Sequence, residues 1–163
     1  MVMKKAVFLY DKTGIMAQPW LDAGYECWLF DGQHDSGINK EGRLVKVGMW
    51  FLPNEIEKHA KEIKTLVGDA VFVFGFPECT DLAVSGAAHF AKKRTENPEF
   101  QNEATSLARL VELVGVNLGA LGALKILSVY CQHYGESLIS IFILGSLVAI
   151  YLMMMLTRYT LNT

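Results

Sequence analysis

The sequence predicts an α/β fold with a parallel, doubly wound sheet. Short apolar segments alternate with amphipathic ones along the first 114 residues, and several of the apolar segments end at an aspartate or a glycine. Consecutive parallel strands need a crossover, usually a helix, so this alternation favours a parallel sheet over hairpins. A chain of 163 residues is long enough to bury a hydrophobic core, and one domain is the natural expectation.

Four segments have the length and apolar character of strands. The first, 6–10, is followed by Asp11, and the second, 26–30, ends at Asp31. Residues 44–51 form the third predicted strand and 71–74 the fourth. Residues 32–42 are polar and rich in glycine, so they are predicted to form a loop.

Three segments are predicted to be helices. Residues 15–23 are closed by Gly24, a residue favoured at helix C-termini, whereas Pro53 and Asn54 precede the second helix and Asn97 and Pro98 the third. Both later segments show helical spacing of apolar residues. The two stripes are Ile56, Ala60, Ile63 and Val67 in one, and Phe100, Ala104, Leu107, Val111 and Val114 in the other.

Composition narrows the class of protein. There are 15 lysine and arginine residues against 17 aspartate and glutamate residues. The chain therefore lacks the excess of positive charge that is typical of proteins that bind nucleic acid by themselves. Cys27, Cys79 and Cys131 lack CxxC spacing, so a disulfide framework is not expected and a reducing, cytoplasmic compartment fits residues 1–115. The four histidines show no metal-ligand spacing, and no metal site is predicted.

Two aspartates follow the first two strands. Asp11-Lys12-Thr13-Gly14 comes where a nucleotide-like cofactor meets a Rossmann-type sheet, and a glycine there allows backbone to approach a ligand. Asp31 stands where an acidic residue accepts hydrogen bonds from ribose hydroxyls. An ordinary tight turn explains either segment about as well, and both interpretations remain open.

The segment after the fourth strand carries a candidate nucleophile. Phe76-Pro77-Glu78-Cys79-Thr80 places a cysteine just beyond a buried strand, where open α/β sheets hold their chemistry. A helix N-terminus near Val84 would lower the pKa of that thiol, whereas Glu78 would oppose ionisation. The alternative is a structural cysteine at a strand end.

The Pro-x-Cys segment and the later Ser85-Gly86 pair resemble the Pro-Pro-Cys-Gln…Ala-Gly loop of DNA cytosine-5 methyltransferases. Glu78 replaces the second proline and Thr80 the glutamine. With the turn at Gly14 and Ala23-Gly24-Tyr25-Glu26, the resemblance covers about residues 5–115 and is closest to short methylases of bacteriophages. It implies a Rossmann-like S-adenosylmethionine sheet, cofactor contacts at Asp11, Gly14, Asp31 and Pro77, Cys79 as the nucleophile that attacks a flipped cytosine, and DNA as the partner.

That family also needs a Glu-Asn-Val/Pro motif and a target-recognition region. No Glu-Asn pair follows Leu113, so we expect an incomplete sheet and a catalytically incomplete methyltransferase. Residues 124–127, Leu-Lys-Ile-Leu, are encoded by TTG AAA ATC CTG in one permitted choice of codons, and a shifted frame of that sequence encodes Glu-Asn-Pro. A C-terminal part translated out of frame is therefore one hypothesis.

The C-terminal composition supports a second hypothesis. Residues 138–156 carry no charge and are long enough to cross a bilayer as a helix. The predicted organisation is a half domain over 1–115, an apolar linker over 116–136 and a transmembrane candidate over 137–157. In this alternative, a small α/β protein is anchored in a membrane and has a binding or regulatory role without catalysis.

Overall fold

The computed structural model describes residues 3–78, 80–82, 84–120 and 122–125. Five strands and four α-helices are described, with short 3₁₀ turns at 15–17 and 84–89. In chain order the elements are β1 (Lys5–Leu9), α1 (Gln18–Asp22), β2 (Glu26–Glu41), β3 (Leu44–Gly48), α2 (Ile56–Val67), β4 (Phe72–Gly75), α3 (Phe90–Glu96), α4 (Phe100–Asn117) and β5 (Gly122–Lys125).

The sheet has the strand order β3-β2-β1-β4-β5. β1 pairs in parallel with both β2 and β4, and β4 pairs in parallel with β5. The chain therefore moves outward from β1 to β3, returns to the other side of β1, and moves outward again. The predicted α/β class with a parallel sheet is confirmed, and β1 and β4 flank the point where the strand order reverses.

Helices cover the two faces of the sheet in the way that right-handed crossovers require. One face is formed by Val7, Leu9 and Phe30 and packs against Ile63 of α2 and Val111 of α4. The other face packs against the 15–22 segment; its residues include Ala6, Phe8, Cys27, Leu29 and Phe74, together with Ala17 and Trp20. β1 is buried on both faces, which explains why its sequence is a continuous apolar run and not an alternating one.

The predicted loop over 32–42 is wrong. The first half of β2 pairs with β3 from Cys27↔Leu44 to Asp31↔Gly48, and the partner numbers then fall from Ile38↔Val47 to Glu41↔Leu44. The second half of β2 thus crosses the end of β3 and runs back along the other side of β3. The two strands form a hairpin, and Gly42 in the turn between them has φ 62. This returning strand lies at the edge of the sheet and is exposed, so its polar composition did not reveal it.

Other ends of strands and helices differ by a few residues from the predicted ones. β3 ends at Gly48, residues 53–54 form a turn before α2 begins at Ile56, and α3 has no counterpart among the predicted helices. The 15–23 helix begins as a 3₁₀ turn, and Gly24 follows it at φ 89. The predicted linker, 116–136, begins with the last two residues of α4 and includes β5, which extends the sheet beyond β4.

The C-terminal candidate helix, 137–157, lies outside the described residues. Within the described ranges, no helix is long and apolar enough to cross a membrane.

Cys27 is expected to be unreactive in the native protein. Its side chain is fully buried in β2, and its Sγ lies 3.7 Å from the carbonyl oxygen of Ala17. Burial raises the pKa of the thiol to about 12, against an opposing effect from Arg43, so the reactive thiolate is scarce at neutral pH. We expect iodoacetamide to leave Cys27 unmodified in the native protein and to label it in denaturant, as peptide mass spectrometry would show. Equal labelling rates in the two states would contradict this burial.

Candidate functional site

A cavity of about 330 Å³ lies where the chain leaves β1, the first half of β2, β3 and β4. This is the carboxyl edge of the sheet beside its switch point, where open α/β folds bind ligands. The volume is within the range of small-molecule sites. Its lining combines aromatic, acidic and backbone surfaces, from Tyr10, Asp31, Gly32, Gln33, Met49, Trp50, Phe51, Phe76, Glu78 and Leu107.

Asp31 is the sequence-predicted cofactor residue that lines this pocket. It ends the parallel part of β2, where it pairs with Gly48. Its Oδ1 accepts a hydrogen bond of 2.7 Å from the backbone N–H of Gln33, and its carbonyl oxygen accepts one of 3.2 Å from Met49. Asp31 is therefore a turn-stabilising aspartate that also presents a half-buried carboxylate to the pocket, so the two interpretations are compatible.

Asp11 and Gly14 form a turn directly after Tyr10 and do not line the cavity. Oδ1 of Asp11 accepts hydrogen bonds from the backbone N–H groups of Thr13 (3.1 Å) and Gly14 (2.8 Å) and from the Thr13 hydroxyl. The carboxylate is buried and organises the turn. Gly14 has φ 71, and a Cβ there would lie 2.9 Å from Cδ2 of Leu29, so glycine is required for both reasons.

Tyr10 is a pocket residue that the sequence reasoning did not select. It has φ 59, unusual for a non-glycine residue, and its hydroxyl donates a 2.7 Å hydrogen bond to the carbonyl oxygen of Leu107. Burial raises the pKa of the phenol far above its ordinary value, so it remains a neutral donor. Its ring meets that of Phe51 edge to face at 5.1 Å, which joins the end of β1 to the segment after β3.

Trp50 is the most exposed aromatic wall of the pocket, with 72% of its surface accessible. Its ring lies against the backbone of Gly32, since a Cβ on that glycine would come within 2.5 Å of three ring atoms. Gly32 is thus needed for close approach. The signal that was available in the sequence is an aromatic pair, Trp50-Phe51, directly after a strand.

The predicted catalytic segment starts at the pocket. Pro77 is buried and is not a lining residue, whereas Glu78 is exposed and lines the cavity. The hydroxyl of Thr80 donates a 3.1 Å hydrogen bond to Oε1 of Glu78. Cys79 lies outside the described residues, and its role as a nucleophile stays a prediction.

Glu26, part of the Ala-Gly-Tyr-Glu segment, begins the parallel part of β2, whereas the pocket lies where that part of the strand ends. Its carboxylate accepts hydrogen bonds from Nε1 of Trp28 (2.8 Å) and from Lys40 (2.9 Å). Burial works to raise the pKa of Glu26, but these two bonds together with the positive charges of Lys40 and Lys5 outweigh it, and the net pKa lies below its ordinary value. Glu26 therefore stabilises the β2 hairpin.

The charge of the pocket restricts its ligands. Among the described lining residues, Asp31 and Glu78 are the charged ones, and neither is basic. A lining with two carboxylates and no described basic side chain offers no attraction for phosphate and favours a neutral or cationic ligand. No group of three or more His, Cys, Asp or Glu side chains within the described ranges is arranged to hold a metal ion.

Comparisons with known proteins add no family assignment. No protein-family model matches the sequence, and neither the curated proteins nor the solved structures contain a significant match.

Proposed function

We propose that this chain is an S-adenosylmethionine-binding protein of the DNA cytosine-5 methyltransferase type. The observation that carries the proposal is the pocket beside the switch point, with aromatic walls and two carboxylates but no described cation. S-adenosylmethionine combines an adenosine with a sulfonium, an ammonium and a carboxylate group, and its net positive charge complements such a pocket. ATP and NAD carry phosphates, and the described lining offers no basic side chain to bind them.

Three parts of the ligand, the ribose, the adenine and the positive charge, have counterparts among the lining residues. We assign to Asp31, a lining residue, the role of accepting hydrogen bonds from the ribose hydroxyls, as acidic residues at the end of a second strand do in dinucleotide folds. The rings of Trp50 and Phe51 offer apolar surface to the adenine. Glu78 contributes a second negative charge, which favours a cationic ligand.

In the proposed chemistry, Cys79 would be the nucleophile that adds to C6 of cytosine, and the bound cofactor would supply the methyl group that C5 takes up. The glutamate that would hold the target base has no Glu-Asn counterpart after Leu113. We therefore expect this chain to bind the cofactor and to lack methylation activity by itself.

Titration calorimetry of the full chain with S-adenosylmethionine, S-adenosylhomocysteine, ATP and NAD tests the proposal. We expect saturable binding of S-adenosylmethionine, weaker binding of S-adenosylhomocysteine because it lacks the sulfonium charge, and no detectable binding of ATP or NAD. Trp50 fluorescence should change with the same midpoint, and Trp50→Phe should remove that signal. Tighter binding of ATP or NAD, or no binding of S-adenosylmethionine, would reject the proposal.

A further inference from the structure

One wall of the pocket is formed by a segment without regular secondary structure. Residues 49–52 follow β3, and Met49, Trp50 and Phe51 all line the cavity. A wall of this kind keeps its shape when its backbone is held at fixed points. At its first residue the segment is held by a hydrogen bond of 3.2 Å, which the N–H of Met49 donates to the carbonyl oxygen of Asp31.

The downstream point is a histidine from α2. Nε2 of His59 accepts a hydrogen bond of 3.0 Å from the backbone N–H of Leu52. The His59 ring also meets the ring of Phe51 edge to face, with centroids 5.4 Å apart. His59 thus contacts two consecutive residues of the segment through two kinds of interaction, although it does not line the pocket itself.

The hydrogen bond defines the state of the imidazole. An Nε2 atom that accepts from a backbone N–H carries no proton, so the ring is neutral and its hydrogen is on Nδ1. The residue is 6% exposed, and its Nδ1 has no hydrogen-bond partner among the described residues. A buried donor without a partner disfavours folding, so a purely structural role would be served as well by an apolar ring.

We propose that His59 is the positioning residue of this pocket: as a neutral acceptor it holds Leu52, and so fixes the Trp50-Phe51 wall against which the ligand binds. The identity of the ligand rests on the proposed function, whereas the anchoring of the segment does not. Tyr10 supports the same wall from β1 through its contact with Phe51, so His59 completes a support that reaches from α2 to the sheet.

Two substitutions separate this role from general stability. His59→Phe keeps a ring against Phe51 but removes the acceptor, and it also removes the unpartnered Nδ1. His59→Gln places an amide oxygen near the position of Nε2, so it restores an acceptor for the Leu52 N–H. We expect thermal stability of the Phe variant to equal or exceed that of the wild type, although its pocket wall is loosened.

The first measurement needs no ligand. In the full chain, NMR should show that the Leu52 amide is protected from hydrogen exchange in the wild type and in His59→Gln, and that it exchanges faster in His59→Phe. Long-range ¹H–¹⁵N spectra should show the hydrogen of His59 on Nδ1. An unchanged Leu52 exchange rate in His59→Phe, or a hydrogen on Nε2, would overturn the assignment whatever the pocket binds.

The second measurement uses S-adenosylmethionine as the probe. We expect its Kd to rise about tenfold in His59→Phe, as for the loss of one ordering hydrogen bond, and to stay within about threefold of wild type in His59→Gln. If the Leu52 amide exchanges faster only in His59→Phe but both variants bind S-adenosylmethionine equally well, the anchoring of Leu52 does not affect binding and this part of the proposal is overturned. If the wild type does not bind S-adenosylmethionine, the proposed function fails and the Leu52 exchange rates still decide the anchoring.

Discussion

Asp31→Ala is expected to weaken binding of S-adenosylmethionine roughly ten- to a hundredfold, the range for a lost hydrogen bond to a charged group. Asp31 lines the pocket and its Oδ1 accepts a hydrogen bond from the N–H of Gln33, so alanine would remove the proposed contact with the ribose and loosen the adjoining turn. Titration calorimetry of wild type and variant under identical salt conditions measures the loss.

Two control variants test whether the loss of affinity comes from the Asp31 side chain itself or from the change in net charge. Asp31→Asn keeps an oxygen that accepts from Gln33 but removes the charge, so its affinity should fall between those of wild type and Asp31→Ala. Asp35→Ala removes an exposed aspartate of the same strand that does not line the pocket, and it should bind like wild type. Equal losses in the Asp31 and Asp35 variants would show that only net charge matters and would contradict a specific contact.

Gly48→Ala is expected to cost about 3 kcal/mol of unfolding free energy, as for severe overpacking next to backbone. The chain crosses the end of β3 at this residue, and an added Cβ would lie 2.9 Å from the carbonyl oxygen of His34 and closer still to that of Asp35. Backbone cannot rotate out of the way as a side chain can, so the crossing or the strand end must shift. Urea unfolding followed by circular dichroism measures the change.

Gly37→Ala is the matched control for that substitution. Gly37 lies in the same crossing with φ 89, but a Cβ there meets no atom within 4 Å. Its cost should be limited to left-handed backbone strain, about 1–2 kcal/mol. If the two alanine variants lose the same stability, steric overlap at Gly48 is not the cause.

The spacing of apolar residues predicted the strands and helices that bury one or both of their faces. β1 and the first half of β2 appear as apolar runs because both faces of a parallel strand are covered, and α2 appears as a stripe because only one of its faces is buried. Helix and strand ends were less predictable. The turn at 53–54 delays α2 to Ile56, and the polar α3 has no apolar stripe, since none of its residues is buried.

The returning half of β2 shows where local patterns fail. Its residues 36–41 are exposed and polar, and they are extended because they pair with β3 and not because of intrinsic preference. Such pairing partners are visible only after the chain has folded. The resulting crossing explains why residue 48 is a glycine, and the ring of Trp50 explains Gly32, although neither glycine has a positive φ.

The sequence by itself determined the class of fold, the positions of the early strands along the chain and the acidic residue that ends the second one. Asp31 was accessible to this reasoning because strand ends, turn residues and their spacing are local properties. Only the tertiary structure decided that Asp11 organises a turn outside the cavity, that Tyr10, Trp50 and Phe51 form its walls, and that His59 supports them from α2. Those residues come from separate elements, and it is the pairing of strands and the packing of a helix on the sheet that bring them together.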